Sequence, residues 1–242
     1  MQNMDIFSAK EDLHILYHGS SAKLKNPIFG AGKSDNDYGS GFYTTEDYTK
    51  AHAWALLNGD EKNAYVNEYT IDFSFLNVVY LNDYGLLAWL AEILANRGLN
   101  YEYSELAVST IIDKYRIDSN NADIIVGYRA DDSYIEVISA FLEGLLSIDD
   151  VKHLFQKGDL GNQVFLKSQK AFDSINFIKV NVVEHDDTLT DYDQKVRKYV
   201  QRYLIKRREQ KIFGANIDGI TIKDVLNNNY KYNKEYDYYE LL

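Results

Sequence analysis

The chain has 242 residues, no Cys, one Pro and a formal charge of −11. That composition excludes disulfides, thiolate metal sites and a thiol nucleophile. A hydrophobic share of 45% with 26% charged residues is that of a globular domain, not of a coiled coil or a disordered chain. The negative balance argues against a general nucleic-acid coat, yet Lys195 to Lys211 holds eight cations and one acid, a local +7 that leaves −18 for the rest.

The predicted elements alternate in type along the chain. A short strand is expected over His14–His18, ended by Gly19-Ser20-Ser21. A Gly-, Asp- and Asn-rich loop runs from Gly30 to Gly41, and Gly41-Phe42-Tyr43-Thr44-Thr45 reads as the next strand, because aromatic and β-branched residues fit a pleated surface. Thr45 is placed to cap a helix whose first turn carries Glu46 and Asp47 and which runs to Asn58-Gly59. Tyr65 to Val79 alternates as a strand, bulged or broken near Ser74. Helical spacing covers Leu86–Arg97, Glu102–Tyr115 and Tyr134–Leu146, with Gly98 stopping the first and a buried strand, Asp123–Gly127, between the last two.

Gln163–Leu166 and Phe177–Val183 are further strands, joined by a helical turn near Lys170-Ala171-Phe172. Asp191 to Lys211 forms a long amphipathic helix with Val196, Tyr199, Val200, Tyr203 and Leu204 inward, and Ile217–Ile222 a last strand before a polar tail at Asn227–Tyr232. The class is therefore α+β, as one domain over 1–242: a core over about 12–183, a helical insertion over about 84–150, and a basic helix and strand over 190–242. No apolar run reaches the roughly 18 residues of a membrane span, and MQNMDIFSAKED has no basic-then-apolar leader pattern. A soluble, cytoplasmic protein is expected.

The informative stretch is residues 16–55. Leu16-Tyr17-His18-Gly19-Ser20 ends one strand on His-Gly, and Gly39-Ser40-Gly41-Phe42-Tyr43-Thr44-Thr45 opens the next with two glycines and an aromatic. Alone, His18 reads as a satisfied structural histidine and the glycines as turns. Together they supply close backbone approach, a ring for stacking and a directional hydrogen bond to a hydroxyl. A carboxamide on an aromatic ring attached to ribose, as in the nicotinamide end of NAD, uses all three.

This combination, followed by a helix with Ala51 and Ala55, resembles the ADP-ribosyltransferase superfamily, in its His-Tyr-Glu branch with diphtheria toxin and the poly-ADP-ribose polymerases, and is most similar to an uncharacterised bacterial family with the same opening. The resemblance implies split antiparallel sheets clasping NAD as substrate. It assigns His18 to a ribose hydroxyl, the Gly19 backbone to the carboxamide, Tyr43 to the nicotinamide ring, Ser20 and Thr44 to the pocket wall, and Ala51 to a helix packed near the ring.

The branch's Glu aligns with Gln163 in Gly161-Asn162-Gln163-Val164-Phe165-Leu166. Gln accepts a hydrogen bond from the 2′-hydroxyl but carries no charge, which disfavours chain elongation and leaves mono-ADP-ribosyl transfer or a non-catalytic nucleotide-binding or protein-interaction module. Asn67-Glu68-Tyr69-Thr70-Ile71 copies the Asn-Glu-aromatic pattern where a scaffold strand belongs, so Glu68 reads as a solvated strand residue. Asp132, in Asp123 to Asp132, is either a helix cap or the acid that activates the acceptor, and Arg129 suits a pyrophosphate. Lys195–Lys211 is a solvated face or the contact for a protein or nucleic-acid acceptor. The five His show no metal-ligand spacing, so no metal is expected.

Overall fold

The computed structural model describes residues 12–58, 63–97, 105–130, 132–158, 161–184 and 187–242. Its class is α+β. The first sheet is β1 (Leu13–Ser20), β3 (Tyr65–Asp72) and β7 (Ile175–Val182), antiparallel in the order β1-β3-β7. The second takes β2 (Phe42–Thr44), β6 (Asn162–Leu166), β5 (Ile124–Tyr128) and β4 (Val78–Tyr80) in the order β2-β6-β5-β4. Backbone bonds between Tyr17 and Thr45, N to O in both directions at 2.7 and 2.9 Å, stitch the sheets together at one point.

Alternation explains the packing. Leu16 of β1, Phe42 of β2, Tyr69 and Ile71 of β3, Ile124 and Val126 of β5, and Val164 and Leu166 of β6 form one buried cluster. Phe165, between Val164 and Leu166, points the other way into a larger core built with α2 (Leu86–Asn96), α3 (Glu105–Tyr115), α4 (Asp132–Leu142) and α5 (Ile148–Gly158). The basic α7 (Asp187–Ile212) closes this core with Val200 and Leu204. α6 (Gln169–Ser174) is the turn between β6 and β7, its N-cap Ser168 accepting from the Ala171 amide.

Several expectations are corrected. The second sheet is mixed, not purely antiparallel: β4 and β5 run parallel, which requires a long crossover, and α2 and α3 supply it. Within 84–150, β5 stands where the buried strand Asp123–Gly127 is expected, and it is an interior strand of the second sheet, with α2 and α3 before it and α4 after it. α1 (Tyr48–Asn58) is capped by Asp47, whose Oδ1 accepts from the amides of Thr49 and Lys50, while Thr45 holds the Asp47 amide.

Tyr199 lies at the surface of α7 rather than inward, its phenol meeting His153 Nε2 at 2.8 Å. Ile217–Ile222 is not a strand. Thr221 and Asp224 make a capping box that starts α8 (Ile222–Asn227), and the Asn-rich tail forms a hairpin of β8 (Tyr230–Asn233) and β9 (Tyr238–Leu241). The break in the third predicted strand is real: Asp72 Oδ1 accepts from the Ser74 amide at 2.9 Å and turns the chain before β4. Gly98 and Glu102 lie outside the described residues.

Candidate functional site

The two sheets part just beyond the Tyr17–Thr45 bridge, and a cleft of about 480 Å³ opens there. The end of β1 forms one wall. His18 Nδ1 donates to the Tyr43 carbonyl at 2.7 Å, and the tilted Phe42 ring backs the imidazole with centroids 4.6 Å apart. That bond fixes the tautomer, so Nε2 is left as an acceptor. Burial holds the His18 pKa below its ordinary 6.5, against the opposing pull of the Tyr43 carbonyl.

Gly19 follows, and a Cβ here would stand 2.0 Å from the Ala51 carbonyl oxygen and 2.6 Å from the Ala55 amide. β1 therefore lies directly on α1, with glycine and alanine as the contact residues. Asn67 clamps the departing chain: its Nδ2 donates to the carbonyls of His18 and Ala22, and its Oδ1 accepts from Leu24.

Tyr43 forms the next wall. Its ring packs on Phe165 at 4.7 Å, its hydroxyl donates to the Gly39 carbonyl at 2.7 Å and accepts from the Tyr38 amide at 3.0 Å, and burial raises its pKa. β2 approaches β6 closely because residue 41 is glycine: a Cβ there would meet Phe165 Cε2 at 2.3 Å.

Gln163, opposite Gly127 on β5, is 3% exposed. Its Nε2 donates to Asp37 Oδ2 at 2.8 Å and to the Tyr128 carbonyl at 3.3 Å. These bonds orient the amide and leave Oε1 as an accessible acceptor with no protein partner among the described residues.

Asp37 was not singled out from sequence, and it organises the floor. This buried carboxylate accepts from Arg97 Nε at 2.7 Å, the Ala130 amide at 2.8 Å and Gln163. Arg97 also donates to the Ala130 carbonyl at 2.8 Å. Trp54 of α1 adds an aromatic wall with the Arg129 guanidinium 4.9 Å above its ring, and Arg197 enters from the basic helix. One acid and three arginines thus line the cleft of a strongly acidic chain. Phosphate oxygens match such guanidinium groups.

His18, Gly19, Tyr43 and Gln163 meet in this cleft, and Arg129 joins them. Three expected wall residues do not. Ser20 turns onto its own loop, exchanging bonds with the Ala22 backbone at 2.9 Å. Thr44 is fully buried and donates to the Val164 carbonyl at 2.8 Å, because β2 alternates and Tyr43 takes the cleft side. Ala51 is core beneath Gly19, small to admit the strand backbone rather than to flank a ligand ring.

Asp132 opens α4, and its side chain, like the whole of Asp131, lies outside the described residues. Glu68 sits off the cleft, facing Lys179 of β7 at 3.5 Å. The signals for Asp37, Trp54, Arg97 and Arg197 are weak in sequence, since their elements meet only in the fold.

A family model described as "Protein of unknown function (DUF3990)" matches residues 14–177. The match spans more than half the chain, covering the whole second sheet and all of the first except the ends of β1 and β7, so the protein belongs to that family. No curated protein and no solved structure matches the chain.

Proposed function

We infer that the chain is an NAD-dependent mono-ADP-ribosyltransferase that acts in the cytoplasm on a macromolecular acceptor. The observation that carries this reading is the His18–Tyr43 bond across the mouth of a cleft that also holds Gln163 and three arginines. Two neutral acceptors, His18 Nε2 and Gln163 Oε1, suit ribose hydroxyls. Tyr43 offers its ring to nicotinamide, the Gly19 backbone suits the carboxamide, and Arg129 with Arg197 suits the pyrophosphate.

In the reaction, the bond between ribose C1′ and the pyridinium nitrogen breaks, and its electron pair leaves with neutral nicotinamide. The acceptor nucleophile gives a pair to C1′ and loses its proton. The side chains hold the dinucleotide in a reactive conformer while positive charge develops on the ribose. Gln163 meets the 2′-hydroxyl as a dipole, not a charge. Asp37 lies one hydrogen bond behind it and polarises its amide toward Oε1. The exposed cations Lys195, Lys198 and Arg202 share one face of α7, the helix that also sends Arg197 into the cleft, and that face suits an anionic acceptor surface.

One observation favours a second reading, a nucleotide-binding module without turnover: the carboxylate nearest Gln163 is already paired with Arg97. Labelled NAD separates the two. The transferase releases nicotinamide and labels an acceptor in a lysate, and His18→Ala and Tyr43→Ala abolish both. NAD binding without nicotinamide release supports the module. Turnover indifferent to both substitutions, or no NAD binding at all, refutes the cleft as the nucleotide site.

A further inference from the structure

A second cavity, of about 400 Å³, uses chemistry that the cleft does not. Asn162 lines it, whereas the adjacent Gln163 lines the cleft, as the alternation of a strand requires. Its other walls come from segments far apart in sequence: Asn82 in the 3₁₀ turn Leu81–Tyr84, Tyr128 at the end of β5, Lys152 and Phe155 of α5, and Tyr232 of β8.

The ionic groups here satisfy one another. Lys152 Nζ donates to Asp237 Oδ1 and to the Asp237 carbonyl, both at 2.7 Å, and the Tyr232 hydroxyl donates to the same carboxylate at 2.8 Å. Asp237 adopts φ = 50°, a left-handed conformation unfavourable for a side-chain-bearing residue, so the surrounding bonds hold it in place. A cavity whose charges are mutually neutralised selects a neutral ligand.

Asn82 is the exception to this satisfaction. Its Nδ2 donates to Asn162 Oδ1 at 3.0 Å, but its own Oδ1 is buried with no hydrogen-bond partner among the described residues. Buried acceptors are nearly always paired. Asn82 lines the cavity, so a small rotation of its amide presents this oxygen to a donor from outside the chain. Tyr128, Phe155 and Tyr232 surround the space with aromatic surface, which suits a flat ring.

We propose that this cavity binds an amino-substituted nucleobase of the adenine type, with Asn82 Oδ1 accepting from the exocyclic amine and Tyr128, Phe155 and Tyr232 enclosing the ring. Free nucleoside and a base presented by a single strand share this chemistry. The site stands independently of what the cleft takes.

Calorimetry on the full chain with adenosine, inosine and a short oligoadenylate tests it. Inosine puts a carbonyl where adenosine has the amine. Adenosine binds saturably and inosine about tenfold more weakly, the loss expected for one hydrogen bond. Asn82→Leu removes that preference, and Tyr128→Ala, at a partly exposed ring, weakens both nucleosides without altering the melting temperature. If Asn82→Leu does not fold, Tyr128→Ala alone decides.

Oligoadenylate binding tighter than adenosine identifies a strand-borne base, and equal affinity a free nucleoside; both support the site. Three results overturn it: no saturable adenosine binding, binding unchanged in the folded variants, or binding lost in His18→Ala but kept in Asn82→Leu. The last places adenosine in the cleft instead.

Discussion

Asp37→Asn changes one oxygen to an amino group with almost no change in shape, and the bond pattern sets its cost. Oδ1 accepts from Arg97 Nε, and Oδ2 accepts from both the Ala130 amide and Gln163 Nε2. Whichever way the new amide lies, its amino group faces a donor. The less damaging orientation turns it toward Arg97 and sacrifices one charge-assisted bond, worth about 1.5–3 kcal/mol. The guanidinium side chain is 20% exposed, so water recovers part of its lost pairing and the lower half of that range applies. The expected destabilisation is about 2 kcal/mol in denaturant titration with an unchanged m-value, or about 4–8 °C in melting temperature for a chain of this size. Gln163 keeps both its bonds in this orientation, so NAD affinity falls less than in Asp37→Ala, which frees the amide. A stability loss under 0.5 kcal/mol, or equal affinities for the two variants, would refute Asp37 as the organiser of the floor.

Gly19→Ala drives a methyl into the Ala51 carbonyl. Overpacking of this kind costs about 1–3 kcal/mol or more, and soluble yield and melting temperature both fall. Protonating His18 opposes the folded state, because burial holds its pKa below 6.5. The neutral form's contribution is complete above 6.5 and is lost as pH falls through the lower folded pKa, so acid titration of stability shows a slope that His18→Gln lacks. Gln163→Glu sets a second carboxylate 2.8 Å from Asp37. The repulsion raises the new group's folded pKa, so the variant is less stable than wild type at neutral pH and recovers on acidification, as urea titrations at pH 4.5 and 7.5 would register. Replacing Lys195, Lys198 and Arg202 together by Gln reduces the salt dependence of acceptor labelling while leaving NAD affinity unchanged; an unaltered salt slope removes α7 from acceptor contact.

Local chemistry made part of the site legible. His18-Gly19 and Gly39 to Thr45 stand at strand ends where glycine, imidazole and phenol are unusual together, and the fold brings His18, Gly19 and Tyr43 to one cleft. Where an alternative local preference competed, sequence misled. The Ile217–Ile222 run has the composition of a strand, yet Thr221 and Asp224 at capping-box spacing start a helix. Asn227 to Asn229 suggested a polar tail and hid the alternation of Tyr230 and Tyr232 that forms β8. α5 carries Ile148, Val151, Leu154 and Phe155 on its buried face, a spacing that could have been read. Asp37 had no such signal. Its loop is rich in Gly, Asn and Asp, which individually read as turn formers, and its role exists only once Arg97, Ala130 and Gln163 converge from three other segments.

The two functional readings divide on where negative charge stands during transfer. A carboxylate at residue 163 would face the ribose directly. In the proposed complex the amide takes that place, and the carboxylate stands behind it, paired with Arg97 and bonded to Nε2. The ion pair places Asp37 and Arg97 as a near-neutral unit, so stabilisation of a ribosyl cation falls to the Gln163 dipole, while Arg197 raises the local positive potential. That balance favours binding the anionic dinucleotide over accelerating its cleavage. Slow turnover with tight NAD binding is the kinetic signature this geometry supports, and it requires the acceptor itself to complete the site. An acidic acceptor docked beside Arg197 would offset the excess positive charge at the moment the cation forms, coupling turnover to acceptor binding and limiting idle hydrolysis of NAD.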